Sequence, residues 1–245
     1  MHHGYELLAV VLAYSVVQSV FGVGLLVFGT PTLLLLGFSF EEVLAYLLPC
    51  SLAISVLQVH DGGLSLEPVR RKFLLYTAPA VLLGTLLVLV VLNHKLNIRA
   101  VVGAMLIVTA SIRLLGPLRE RMAALIRRRL TGFLVGLGIV HGLSNLGGGI
   151  LTVIVSSLYG DDKTSTRKHV AFGYGVMAAI QLATLFGTTA VTWDWRVQLL
   201  LPLVAGVTYS LIGRRVFEAT KQGVYQASLT ALIAAFGVIL VIPTS

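Results

Sequence analysis

Six unbroken apolar stretches, at residues 40–59, 73–93, 98–115, 169–187, 197–213 and 224–242, each approach the roughly 20 residues that a helix needs to cross a bilayer. Two longer ones, 7–36 and 130–159, are interrupted near their middles by glycine and polar residues. Little chain remains for a water-soluble domain. Charged residues make up 11% of the 245, and mean hydropathy is +0.93. Soluble domains carry about a quarter, so this chain cannot cover a water-facing surface. The stretches predict an all-α, multi-pass membrane protein whose solvent is the lipid bilayer.

The order of the stretches repeats. A first membrane repeat, 1–115, holds the broken segment 7–36 and three plain spans. A basic linker follows at 116–129. A second repeat, 130–245, holds the broken segment 130–159 and three more spans. Sliding the sequence by 123 positions places Gly24 on Gly147, Gly37 on Gly160, Gln58 on Gln181, Gln18 on His141 and Gly22 on Asn145. Internal repeats of this kind are common in transporters.

The cations decide how the halves are oriented. If each broken segment crossed once, the 18 Lys and Arg would split ten to eight between the two sides. If each is a re-entrant hairpin that enters and leaves on one side, only Lys95, Arg99 and Arg196 fall on one face, against fifteen on the other. Such a bias is what the positive-inside rule expects. Each half then makes an odd number of crossings, so the repeats are inverted. Six full spans, two hairpins, a cytoplasmic linker and both termini outside are predicted; the competing layout is a plain eight-span bundle. The first apolar stretch is too long for a cleavable signal and lacks a basic segment before it.

The hairpin tips carry the candidate site. The first reads Gln18-Ser19-Val20-Phe21-Gly22-Val23-Gly24, the second His141-Gly142-Leu143-Ser144-Asn145-Leu146-Gly147-Gly148-Gly149. A chain reverses at membrane depth only where its freed backbone groups are buried in protein or line a wet cavity. The arm leaving each tip begins a helix whose first N–H groups lack intrahelical partners and carry partial positive charge. Two such N-termini facing each other make an anion site without a fixed charge. Candidate contacts are Gln18, Gly22, Gly24, His141, Ser144, Asn145, Gly147 and Gly148, with Gln58, Gln181 and Tyr174 as second choices. The competing explanation is close helix packing through small residues. Gln58 and Gln181 fit either a pair across a symmetry axis or plain interhelical hydrogen bonds. Tyr174 fits a cavity wall or packing, and His141 a proton carrier, an anion donor or a structural group.

Other features narrow the function. Apart from Glu6, Glu41 and Glu42 near segment ends, no carboxylate lies in an apolar segment. That argues against a hydrolase with paired carboxylates, a metal site and a carboxylate proton relay. GxSxG, HExxH and P-loop patterns are absent. No catalytic residue, metal or cofactor is expected. Net charge is +8, but the cations sit in short loops, so membrane orientation explains them better than nucleic acid. Cys50 is the only cysteine, which excludes an intrachain disulfide. Arg167, Lys168 and His169 are expected to snorkel to the cytoplasmic interface, and Arg113 to do the same or to meet an entering anion. Trp193 and Trp195 suit an outer interfacial belt. The rival functions are a passive anion channel and an intramembrane enzyme acting on a lipid.

Gly22-Val23-Gly24 with the downstream Pro31, Asn145-Leu146-Gly147-Gly148-Gly149, Asp161-Asp162-Lys163 and the helix around Gly173-Tyr174-Gly175 resemble elements of the TauE/SafE family of sulfite and organosulfonate exporters. The likeness in layout covers essentially the whole chain, although the first glycine element is shorter than the family's. The resemblance implies a plasma-membrane exporter of sulfite or sulfonates, with a small anionic substrate and coupling to the proton gradient as one option. Apart from the resemblance, a homodimer is a candidate assembly.

Overall fold

The computed structural model describes residues 2–62, 68–92, 104, 107–112, 114–160, 162–188 and 194–241, and it is helical throughout apart from short turns. The helices are α1 (His2–Phe21), α2 (Leu25–Leu35), α3 (Phe40–Gly62), α4 (Val69–Val90), α5 (Gly116–Arg128), α6 (Leu130–Ser144), α7 (Gly147–Tyr159), α8 (Lys163–Thr188), α9 (Trp195–Ala219) and α10 (Gln222–Val241). Among the described residues, Gly4–Phe21, α3, α4, α8 and α9 are long and apolar enough to cross a membrane. Half of the expected span 98–115, Arg99 and Arg113 included, lies outside the described residues, as do Lys95, Asp161 and Trp193.

Both broken segments fold as antiparallel hairpins. In the first, the Tyr14 hydroxyl of α1 bonds the Thr32 hydroxyl of α2 at 2.9 Å, and Tyr14 and Phe28 have ring centroids 6.2 Å apart. Residues nine positions either side of Val23 therefore face each other. The arms are unequal. α1 has 20 residues and a spanning length of its own, while α2 is one of the shorter apolar helices. In the second hairpin, Arg127 at the end of α5 donates to Ser157 O at 2.8 Å. The start of α6 and the end of α7 thus lie together.

Equivalent helices of the two halves pack on one another. α3 and α8 run antiparallel: a methyl on Gly62 would lie 3.1 Å from Lys168 Cγ, and one on Gly175 3.1 Å from Ser55 Cβ. Each hairpin's first arm is also held by the other half, α6 against α4 and α1 against α9. At the α4–α6 crossing the backbones nearly touch. A methyl on Gly142 would sit 2.5 Å from Val81 O, and one on Gly84 2.6 Å from Ile139 O. These glycines are present because nothing larger fits, which is the means by which lipid-embedded helices gain packing area.

Arg70, Lys163, Arg167 and Arg214 gather at one end of the bundle, whereas Arg196 lies at the other. Arg70 lies over the Phe172 ring, Lys163 and Arg167 over Phe217, and Arg214 reaches Asp61 at 3.6 Å. Tyr159 stacks on His169 with ring centroids 3.8 Å apart, bringing the α7 end and Arg127 to the same place. The opposite end holds the starts of α3 and α9. There Ser39 and Glu42 form a capping box (Ser39 N–H to Glu42 Oε2 2.8 Å, Glu42 N–H to Ser39 Oγ 3.3 Å). Asp194 caps Arg196 N–H, and an exposed Trp195 stacks on Phe186. Cys50 is free and buried.

The α4–α6 contact gives a direct test. Gly142→Leu is expected to destabilise the protein by about 1–3 kcal/mol, the usual cost of overpacking, read as a lower melting temperature in detergent. Gly136→Leu, with nothing within 4 Å of its added carbon, is expected to be neutral.

Candidate functional site

The polar tip residues are buried together between the halves. Gln18, His141, Asn145, Gln181 and Tyr174 have no exposed surface, and Gln58 and Ser144 are also buried. Each tip interrupts a helix at depth, so the last carbonyls of the first arm and the first N–H groups of the second both need partners.

The carbonyls find glutamines. Gln58 Nε2 donates to Gln18 O and Ser19 O, both at 3.0 Å. Gln181 Nε2 donates to His141 O at 3.2 Å. These bonds are related by the 123-residue shift at both ends. Gln58 and Gln181 therefore do not pair with each other; each closes the hairpin of its own half of the chain. Gln18 is held in turn by α3, donating to Ser51 O at 2.9 Å, Ser51 Oγ at 3.0 Å and Ser55 Oγ at 3.3 Å.

The N–H groups find caps on neighbouring rings. Gly147 N–H, opening α7, donates to His141 Nδ1 at 3.1 Å. Because Nδ1 accepts, the neutral imidazole carries its hydrogen on Nε2. Val27 N–H, in the first turn of α2, donates to the Tyr174 hydroxyl at 3.1 Å. The His141 and Tyr174 rings lie 6.1 Å apart. Gly148 completes the contact: a methyl there would sit 2.6 Å from Val27 Cγ2 and 2.9 Å from Tyr174 Cε2. Two helix N-termini, one from each repeat, thus meet around Tyr174.

The remaining candidates hold the tips in shape. Asn145 takes the left-handed conformation (φ 62°) that ends α6, and its Nδ2 donates to Thr30 Oγ1 at 2.8 Å, tying the second tip to α2. Gly22 also has positive φ (76°) and lies against Val170 and Arg167 O. Gly24 packs on the backbone of Tyr14 and Gln18. Ser144 donates its hydroxyl hydrogen to Val140 O on its own helix at 2.7 Å. Among the described residues, Gln18 Oε1, Gln58 Oε1, Gln181 Oε1, Asn145 Oδ1 and His141 Nε2 are buried without a protein partner. No group of His, Cys, Asp and Glu suited to a metal ion occurs among them. A separate cleft of about 850 Å³ lies between α5, α7 and α10, lined in part by Arg119, Arg127, Gln226 and Thr230, and holds none of the tip residues.

Sequence reasoning placed Arg167, Lys168 and His169 at the interface, whereas the structure turns them partly inward. His169 is buried against Tyr159, and Arg167 bends toward Ser19 O at 3.4 Å. Thr30 escaped the sequence reading, since a lone hydroxyl in an apolar run carries no signal of its partner.

A family model described as "Sulfite exporter TauE/SafE" matches residues 7–240. The chain belongs to the TauE/SafE family. Searches of curated proteins and of solved structures gave no match. The family is one of membrane transporters that export sulfite or sulfonates, which agrees with the multi-pass helical architecture.

The link between the second tip and α2 is measurable. A double-mutant cycle with Asn145→Gly and Thr30→Val is expected to give a coupling of about 0.5–1.5 kcal/mol, the net worth of one intramolecular hydrogen bond. Thermal unfolding in detergent reads it. Additive effects would place the two residues in separate networks.

Proposed function

We propose that the protein exports a small sulfur oxyanion, sulfite or an organosulfonate, across the plasma membrane by alternating access, with the anion bound where the two hairpin tips meet. The observation that carries this reading is the convergence of two helix N-termini, one from each repeat, on Tyr174. A partial positive charge at each N-terminus favours an anion by up to about 2 kcal/mol in a partly buried setting. The tips contain no fixed charge, which suits a cargo that must also be released. Among the residues at hand, the anion's contacts are Asn145, Gly147, Gly148, Gly22, Gly24, Gln18 and His141, with Tyr174, Gln58 and Gln181 around them. His141 Nε2 is a buried donor with no protein partner. The unpartnered amide oxygens accept hydrogen, so hydrogensulfite fits the tips better than a bare dianion.

The halves are read as inverted repeats. Support comes from the antiparallel pairing of α3 with α8, since a two-fold axis in the membrane plane makes equivalent helices antiparallel. The grouping of cations at one end supports a cytoplasmic assignment for that end and for the linker. In this reading both hairpins are re-entrant, both termini lie outside, and rocking of one half against the other alternates access. A homodimer is compatible with the exposed apolar faces of α4 and α9.

Flux of sulfite and sulfonates in proteoliposomes, with and without a pH gradient, tests the proposal. Wild-type protein is expected to show saturable flux. Gly148→Leu should abolish it by driving the tips apart, and Asn145→Ala should reduce it. Gradient-independent, non-saturating flux would instead identify a channel, and no flux of any sulfur oxyanion would remove the substrate assignment. Tags at each terminus should be accessible from outside intact cells.

A further inference from the structure

Arg167 opens the question of how an anion reaches an uncharged site. It lies one turn into α8, beside the first tip. Its backbone oxygen is 3.2 Å from the position a methyl on Gly22 would take, and its Nη1 donates to Ser19 O at 3.4 Å. The guanidinium is stacked over Phe217, its carbon 3.5 Å from the ring centroid. That stacking fixes the planar group in place.

The guanidinium makes no direct ion pair, and Asp61 and Glu218 act on it only at longer range. Among the described residues, no carboxylate lies within ion-pair distance of Arg167. The nearby acids are engaged elsewhere: Asp61 accepts from the Tyr209 hydroxyl at 2.6 Å and pairs with Arg214 at 3.6 Å, and Glu218 pairs with Arg214 at 3.2 Å. A guanidinium has five N–H donors, and here one long bond uses one of them. A cation without a direct ion pair inside a membrane protein is costly and is by default a candidate for an ion pathway. The rim just outside it is open, with the Arg214 side chain 55% exposed and that of Asp61 26%. The position 123 residues earlier is the buried Leu44, so the feature belongs to one end of the bundle alone.

We propose that Arg167 is the recruiting residue for the anion at the basic end: it binds the incoming oxyanion through its free donors and hands it to the adjacent first tip. This rests on the transport reading above. Its consequence is directional, because a residue at one mouth controls loading from that mouth only.

The experiment compares R167Q, R167K and the rim control R215Q in oriented proteoliposomes, measuring sulfite KM separately from each side, together with melting temperature. R167Q is expected to raise KM from the basic end about tenfold, the lower range of electrostatic capture effects. KM from the opposite end and the maximal rate should stay within about twofold on the same reasoning. R167K should recover part of the loss, and R215Q should match wild type. An unchanged KM in R167Q, or an equal loss from both sides with a lowered melting temperature, would overturn the proposal in favour of a bystander or a brace on Ser19. If wild-type protein moves no sulfur oxyanion, the transport reading fails by itself. Arg167 is then judged by thermal stabilisation of purified protein with sulfite, sulfate and phosphate. Stabilisation lost in R167Q but kept in R215Q supports an anion-binding role; stabilisation kept in R167Q, or absent in wild type, overturns it.

Discussion

A peptide group freed from its helix inside a bilayer must be satisfied by protein, because no water is at hand to replace the lost bond. Two chain reversals at depth create that demand twice, and most of the polar chemistry of this molecule answers it. Gln58 and Gln181 close the carbonyl ends of the first arms, while His141 and Tyr174 cap the N–H ends of the second arms. Each unsatisfied group would cost several kcal/mol in hydrocarbon. The breaks persist because long polar side chains from α3 and α8 reach them. That requirement also explains why α3 and α8 sit at the centre, the one place from which both tips can be served.

The symmetry of those bonds says more than the sequence identities that suggested it. Few residues coincide at the 123-residue shift, and any two glycines can coincide by chance. A glutamine bonding a carbonyl forty positions before it, in both halves, is a shared structural solution. Its two versions differ in detail, since Gln18 is anchored to Ser51 and Ser55 whereas its counterpart His141 caps its own hairpin. The two halves thus share this backbone bond while differing in the side chains around it.

The helical class, the hairpin breaks and the tip residues could be read from the sequence because each leaves a local mark: an apolar run, a glycine cluster, a polar residue where lipid should be. Partners were less legible. Gln58 and Gln181 look alike at matching places, which suggests that they touch; only the fold reveals that each reaches back to its own tip. Arg167 and its two neighbours read as an interfacial basic cluster, since position along a helix gives depth but not direction. The length of α1 was also missed. Met1 to Glu6 is too polar to count as part of an apolar run, yet His2–Glu6 continues the helix because backbone bonds do not require apolar side chains.

The caps on the two N-termini bear on how transport can be switched. His141 Nδ1 and the Tyr174 hydroxyl are neutral acceptors occupying N–H groups that an oxyanion would use. Hydrogen bonds to an ionised acceptor are roughly twice as strong as those between neutral groups. On the transport reading proposed above, an anion displaces these two caps, while in the empty site Gly147 N–H and Val27 N–H stay bonded. Neutral caps lower the cost of closing without cargo, and the difference between neutral and charged acceptor is what the cargo contributes to reopening. A ligand shifts a conformational equilibrium only by its differential affinity for the two states. On the proposed reading that difference arises at His141 and Tyr174, where the cargo would exchange with the protein's own groups.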